Sequence, residues 1–189
     1  MIRLGYFGRQ DFDLLISWID SPEFLMQWAG PHFNYPLDVE QLNHYIEGAN
    51  EESSQIHIYK VILNETNETI GHISLNNIDV KNRSARIGKV LLGSTDIRGK
   101  GIGQKMVTKV LNIAFDQLSL HRIGLGVFTF NEAAIKSYEK VGFVKEGLLR
   151  DVRKVGDGYW SLWEMSMLEN EWRGIQQNGA IMMIAHDFK

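Results

Sequence analysis

Arg98-Gly99-Lys100-Gly101-Ile102-Gly103 stands between an apolar stretch, Lys89-Val90-Leu91-Leu92, and a run whose hydrophobic residues recur every four positions. Ile102, Met106, Val110, Ala114 and Leu118 mark one stripe of that run, and Val107, Leu111 and Phe115 widen it. The spacing predicts a helix over 101–118 with a broad buried face. A strand at 85–92, this helix and a further strand at 121–130 require a crossover connection, so the two strands are expected to be parallel neighbours. Glycines at alternate positions let the backbone of the turn come close to a ligand. The first amides of the following helix lack partners within it and carry the positive end of its dipole, which suits a pyrophosphate. An ordinary tight turn packed on the sheet uses glycines in the same way.

Upstream, residues 2–7 read as a short strand and 11–28 as an amphipathic stretch broken at Ser21-Pro22, a dipeptide suited to restarting a helix. Residues 38–48 are a third helical candidate, with Val39, Leu42 and Ile46 on one face. Residues 55–63 are apolar on both faces, as in a central strand, and a polar turn over 64–69 leads to strands at 70–79 and 85–92. Downstream, 131–140 reads as a helix, and 143–152 and 159–168 as two last strands. The expected fold is a mixed α/β sheet, antiparallel at first and then parallel, with helices on both faces. One domain is expected over 1–172. A tail over 173–189 carries Ile181-Met182-Met183-Ile184, too apolar for a free end, so packing on the core or on another copy of the chain is expected.

Composition narrows the chemistry. The 189 residues are 44% hydrophobic and 23% charged, ordinary for a folded domain and enough for one core. Twenty Lys+Arg against 23 Asp+Glu give a net charge of -3, which offers no cationic excess for sequence-independent binding of nucleic acid. There is no cysteine, so disulfides, thiolate metal sites and a thiol nucleophile are excluded together. His32, His44, His57, His72, His121 and His186 are scattered without metal-ligand spacing, and no metal is expected. Ser137 has neither a neighbouring histidine nor a nucleophile elbow. No stretch approaches the ~20 apolar residues of a membrane span, residues 1–6 lack an apolar leader, and cytoplasmic residence is expected.

Two familiar phosphate loops do not fit. The P-loop ends in Gly-Lys-Ser/Thr, whereas Gly103 is followed by Gln104 and Lys105. The dinucleotide fingerprint spaces its glycines differently and follows an early strand. Residues 98–103 instead resemble the Gln/Arg-x-x-Gly-x-Gly/Ala signature of the GCN5-related N-acetyltransferases (the GNAT superfamily), with Arg98, Gly101 and Gly103 in the matching places.

A second run carries the resemblance further. Asn131-Glu132-Ala133-Ala134-Ile135-Lys136-Ser137-Tyr138-Glu139-Lys140-Val141-Gly142-Phe143 offers Asn131 as a helix cap and Gly142 as a stop. Asn131 and Tyr138 lie two turns apart on one face. The run is similar to the Asn…Tyr-x-x-x-Gly-Phe segment of the same family. Glu146-Gly147-Leu148-Leu149-Arg150, and Gly158-Tyr159-Trp160 before Met165-Ser166-Met167-Leu168, resemble its ribosomal-protein (RimJ/RimL-like) branch.

The resemblance implies an acetyl-CoA-dependent N-acetyltransferase. By it, Arg98, Gly99, Lys100, Gly101, Ile102 and Gly103 would hold the pyrophosphate, and Val90, Leu91 and Leu92 the pantetheine and thioester. Asn131 would position acetyl-CoA, and Tyr138 would protonate the departing thiolate, as a phenol can. The strand glutamate that serves many relatives as base is absent here, with Arg86 and Lys89 on that strand instead. His72 is then the first candidate base, Asp151 and Glu164 are others, and a water chain is a further route. The acceptor is left open among a ribosomal or other protein N-terminus, a polyamine, an amino sugar or another small amine, and a homodimer is allowed. The rival reading is an acyl-CoA sensor with the cleft kept and turnover lost.

Overall fold

The computed structural model describes residues 1–93 and 99–186, with side chains described as far as 177. Its strands are β1 (Ile2–Tyr6), β2 (His57–Leu63), β3 (Thr69–Asp79), β4 (Ser84–Leu92), β5 (Arg122–Phe128), β6 (Val144–Val155) and β7 (Gly158–Leu168). They form one sheet in the order β1-β2-β3-β4-β5-β7-β6. Every pairing is antiparallel except β4 with β5, the one the crossover requires.

Helices cover both faces. On one side lie α4 (Ile102–Asn112) and α5 (Glu132–Val141), whose Met106, Val107, Val110, Leu111, Ile135 and Tyr138 pack with Ile73, Leu75, Ile87, Ile123 and Leu125 of the sheet. The spacing of four does run to the end of the stripe, but the last turn over Ile113–Gln117 widens to a π-helix. On the other side α1 (Phe12–Ser17), α2 (Pro22–Ala29) and α3 (Val39–Ile46) enclose a second cluster with Leu15, Leu25, Trp28 and Leu42. Ser21 and Asp38 cap α2 and α3, each accepting from a first-turn amide. A last helix, α6 (Glu169–His186), begins before the expected boundary at 172 and runs on into the tail. Its Trp172 is buried and stacks on Phe115. The side chains of Ile181, Met182, Met183 and Ile184 lie outside the described residues.

One irregularity sets up the site. His72 pairs with Leu91 but Ser74 with Gly88, so β4 carries one extra residue at this point. Lys89 absorbs the bulge at φ 50. An inserted residue inverts the facing of everything after it, because side chains alternate along a strand. Ile87 therefore packs on the α4 side, while Leu91, four residues on, packs among α1, α2 and α3.

Candidate active site

The β4–β5 ladder is short. It pairs Ser84 with Arg122, Ala85 with Ile123 and Arg86 with Gly124, and there it stops. Gly124 and Gly126 leave room beside the strand: a Cβ at 124 would stand 3.4 Å from Arg86 Nη1, and one at 126 would stand 3.5 Å from Nη2. The guanidinium thus lies across β5 and reaches Glu164 on β7 at 2.9 and 3.0 Å. Beyond that rung the strands part, and two cavities flank the opening.

The first, about 470 Å³, is lined by Val90, Leu91, Leu92, Gly99, Gly101, Ile102, Gly103, Asn131 and Tyr138. These are nine of the residues that the resemblance assigned to acetyl-CoA, brought together from β4, the turn with the start of α4, and α5. Lys100 is exposed at the turn and does not line the cavity, and Arg98 lies outside the described residues. Gly99 and Gly101 take φ 78 and 73, so the turn needs glycine for its conformation. Gly101 is also the N-cap of α4, which brings that helix's first amides to the cavity rim. A ligand with an anionic head and an extended arm fits this arrangement.

Asn131 caps α5, its Oδ1 accepting from the Ala134 amide at 3.3 Å. Two turns later Tyr138 packs its ring 6.0 Å from that of Phe143. Burial pushes the Tyr138 hydroxyl up to about 12, which keeps it protonated and able to donate. Gly142, at φ 114, ends the helix in a conformation a side chain resists.

The second cavity, about 640 Å³, lies between β4, β5 and the α2–α3 region. Trp28, Phe33, Tyr45, Lys89, Phe128 and Leu162 are among its walls, and Gln27 lines both cavities. Sequence patterns singled out neither Gln27 nor Phe33 nor Tyr45. They belong to helices and loops that reach the sheet only through packing, and no local spacing announces that.

His72 lines neither cavity. It is 1% exposed, with its ring 5.0 Å from Phe7, 5.4 Å from Trp28 and 5.9 Å from Tyr45. Nδ1 donates to the Lys89 carbonyl at 2.8 Å, since a carbonyl only accepts, and Nε2 is left buried and unpartnered. Burial lowers its pKa to about 4, which opposes its use as a base near neutrality. Glu164 is held by Arg86, and Asp151 is exposed on β6. Among the described residues no three His, Asp or Glu side chains are grouped to hold a metal. No described helix is long and apolar enough to cross a membrane.

Known proteins resemble this chain over most of its length. A family model described as an acetyltransferase (GNAT) domain matches residues 2–144. The "Uncharacterized N-acetyltransferase p20" of Bacillus licheniformis is 32% identical over 167 residues, 87% of this chain and 91% of that protein. The spermidine N(1)-acetyltransferase of Vibrio cholerae is 30% identical over 103 residues, 54% of this chain and 58% of that one. A crystal structure of spermidine N-acetyltransferase from Vibrio cholerae, in complex with CoA and spermine, superposes with a TM-score of 0.77 at 23% identity, covering 90% of this chain and 97% of the other. It shares the fold.

Proposed function

Because the chain belongs to the acetyltransferase (GNAT) family, we propose that its two cavities divide one reaction between them. The first holds acetyl-CoA and the second an acceptor amine, which attacks the thioester directly in a ternary complex. The observation that carries this reading is the end of the β4–β5 ladder at Arg86 and Gly124. It opens the sheet where Val90 to Leu92, the 99–103 turn, Asn131 and Tyr138 converge.

Within that reading each residue has a physical task. Positive-φ glycines and the amides at the start of α4 bind the pyrophosphate. The edge of β4 turned away from β3 offers main-chain groups to the extended arm and the thioester carbonyl. Acetyl-CoA supplies the activated acyl group and the only thiol the chemistry needs. The Tyr138 hydroxyl, held neutral by burial, donates its proton to the departing sulfur and takes one back from water before the next turnover. The amine's proton leaves through water in the open second cavity, since burial makes His72 a weak base and His72 lines neither cavity.

The acceptor is a primary amine, of a protein N-terminus as the RimJ/RimL-like segments suggest or of a small molecule. The edge strand β6 exposes Val144, Leu148 and Leu149 and suits pairing with a second copy, which light scattering would test. A dodecameric structure exists among the related folds. Saturating acetyl-CoA is expected to raise the melting temperature, and a broad amine screen to give acetylated product. Binding without any product would favour the acyl-CoA sensor instead.

A further inference from the structure

We propose that the second cavity selects a primary amine that also carries an anionic group, a carboxylate or a phosphate, and rejects polycationic amines; this rests on the acetyltransferase reading above. Among its lining residues are three basic side chains, Arg86, Lys89 and Arg153, together with His32 and His44, and no Asp or Glu. Glu52 and Asp79 line the adjoining groove, not this one.

The cations are unequally provided for. Arg86 already has its counter-ion in Glu164. Among the described residues, Lys89 and Arg153 form no ion pair with any carboxylate. Lys89 instead directs its ammonium at two rings, 5.8 Å from the centroid of Phe33 and 5.0 Å from that of Tyr45. Arg153 donates to the Val152 carbonyl at 2.8 Å. A half-buried ammonium without a counter-ion is costly, and desolvation accordingly lowers Lys89 to about 8. An anionic substituent on the acceptor would supply the missing charge. A second ammonium would meet only like charge. One further donor belongs to a wall residue, the Trp28 indole Nε1, which is buried without a partner.

This selectivity departs from the substrate named for the Vibrio cholerae relative. The aromatic walls here, Trp28, Phe33 and Tyr45, suit an alkyl chain of either kind of amine, so the choice falls to charge.

The test is a set of matched acceptors with the full-length protein and acetyl-CoA: cadaverine against 6-aminohexanoate, and glucosamine against glucosamine 6-phosphate. The anionic member of each pair is expected to show at least a tenfold higher kcat/KM, and the two pairs tell carboxylate from phosphate. Lys89→Met and Arg153→Met, each checked for folding by circular dichroism, are expected to shrink the preference to within about threefold. Should either variant fail to fold, raising the salt concentration with the unaltered protein must weaken binding of the anionic member. Calorimetric binding of the same amines in the presence of CoA separates the two readings. Anionic amines that bind but are not acetylated would sink the enzyme and leave the selectivity standing. Equal or better use of cadaverine, or no binding of either anionic amine, would overturn the proposal.

Discussion

Gly142 lies directly beneath Ile175: a Cβ at position 142 would stand 2.5 Å from Ile175 Cδ1. The Gly142 and Phe143 amides both donate to the Tyr138 carbonyl, at 3.1 and 3.0 Å. One glycine therefore ends α5, seats α6 against it and fixes the turn that carries Tyr138. Gly142→Ala must strain φ 114 and displace Ile175. A loss of about 2 kcal/mol is expected, which lowers Tm by roughly 4–8 °C. Thermal unfolding that matches the parent would show that α6 yields freely.

Tyr138→Phe keeps the ring against Phe143 and removes only the hydroxyl. Stability and acetyl-CoA binding are expected to persist while kcat falls roughly 10²-fold, the scale of a lost general acid. Steady-state kinetics beside a binding isotherm reads both. An unchanged kcat would assign the leaving thiolate another proton source.

At Gly101 no described atom lies within 4 Å of an added Cβ, so its cost is conformational alone. Gly101→Ala must force φ 73 on a side chain at the first amides of α4. About a tenfold rise in the dissociation constant for acetyl-CoA is expected, with kcat at saturation much less altered. Calorimetric titration measures it, and an equal affinity would remove the turn from the binding site.

His72 gives a pH signature. Its folded pKa of about 4 lies below the usual 6.5, so between these values the unfolded chain binds a proton that the folded chain refuses. Stability contributed by the neutral ring is complete above pH 6.5 and is lost as pH falls towards 4, on the order of 3 kcal/mol. His57, also lowered by burial, adds to the same slope. Urea unfolding across pH 4–7 should show a shallower slope in His72→Gln than in the parent. Coincident slopes would mean that the ring is not buried as described. Turnover should keep its pH profile in that variant, because His72 touches neither cavity.

The parts of the site nearest in sequence were the easiest to read. The four-residue spacing of Ile102 to Leu118 fixes α4, the crossover fixes the parallel pair, and Asn131 with Gly142 brackets α5. The bulge was not legible. A left-handed residue is usually announced by glycine, but here Lys89 takes that conformation and its neighbour Gly88 does not. The second cavity was hidden for a related reason. Its walls come from 27–45, 56, 76–77, 86–89, 126–128, 153 and 162, joined only when α2 and α3 settle on the sheet. Nor does a single strand histidine declare its surroundings: the rings of Phe7, Trp28 and Tyr45 around His72 come from elements far away in sequence.

The ladder that stops after Arg86 and Gly124 leaves the sheet unfinished in its middle, with four strands on one side and three on the other. An extended ligand lying along β4 would serve as the absent strand, so loading the protein amounts to completing its architecture. The two halves should then resist solvent exchange as one body when loaded, and the amides of Val90 to Leu92 should gain most. Without that ligand, the seam between β4 and β5 stays unpaired beyond Arg86 and Gly124.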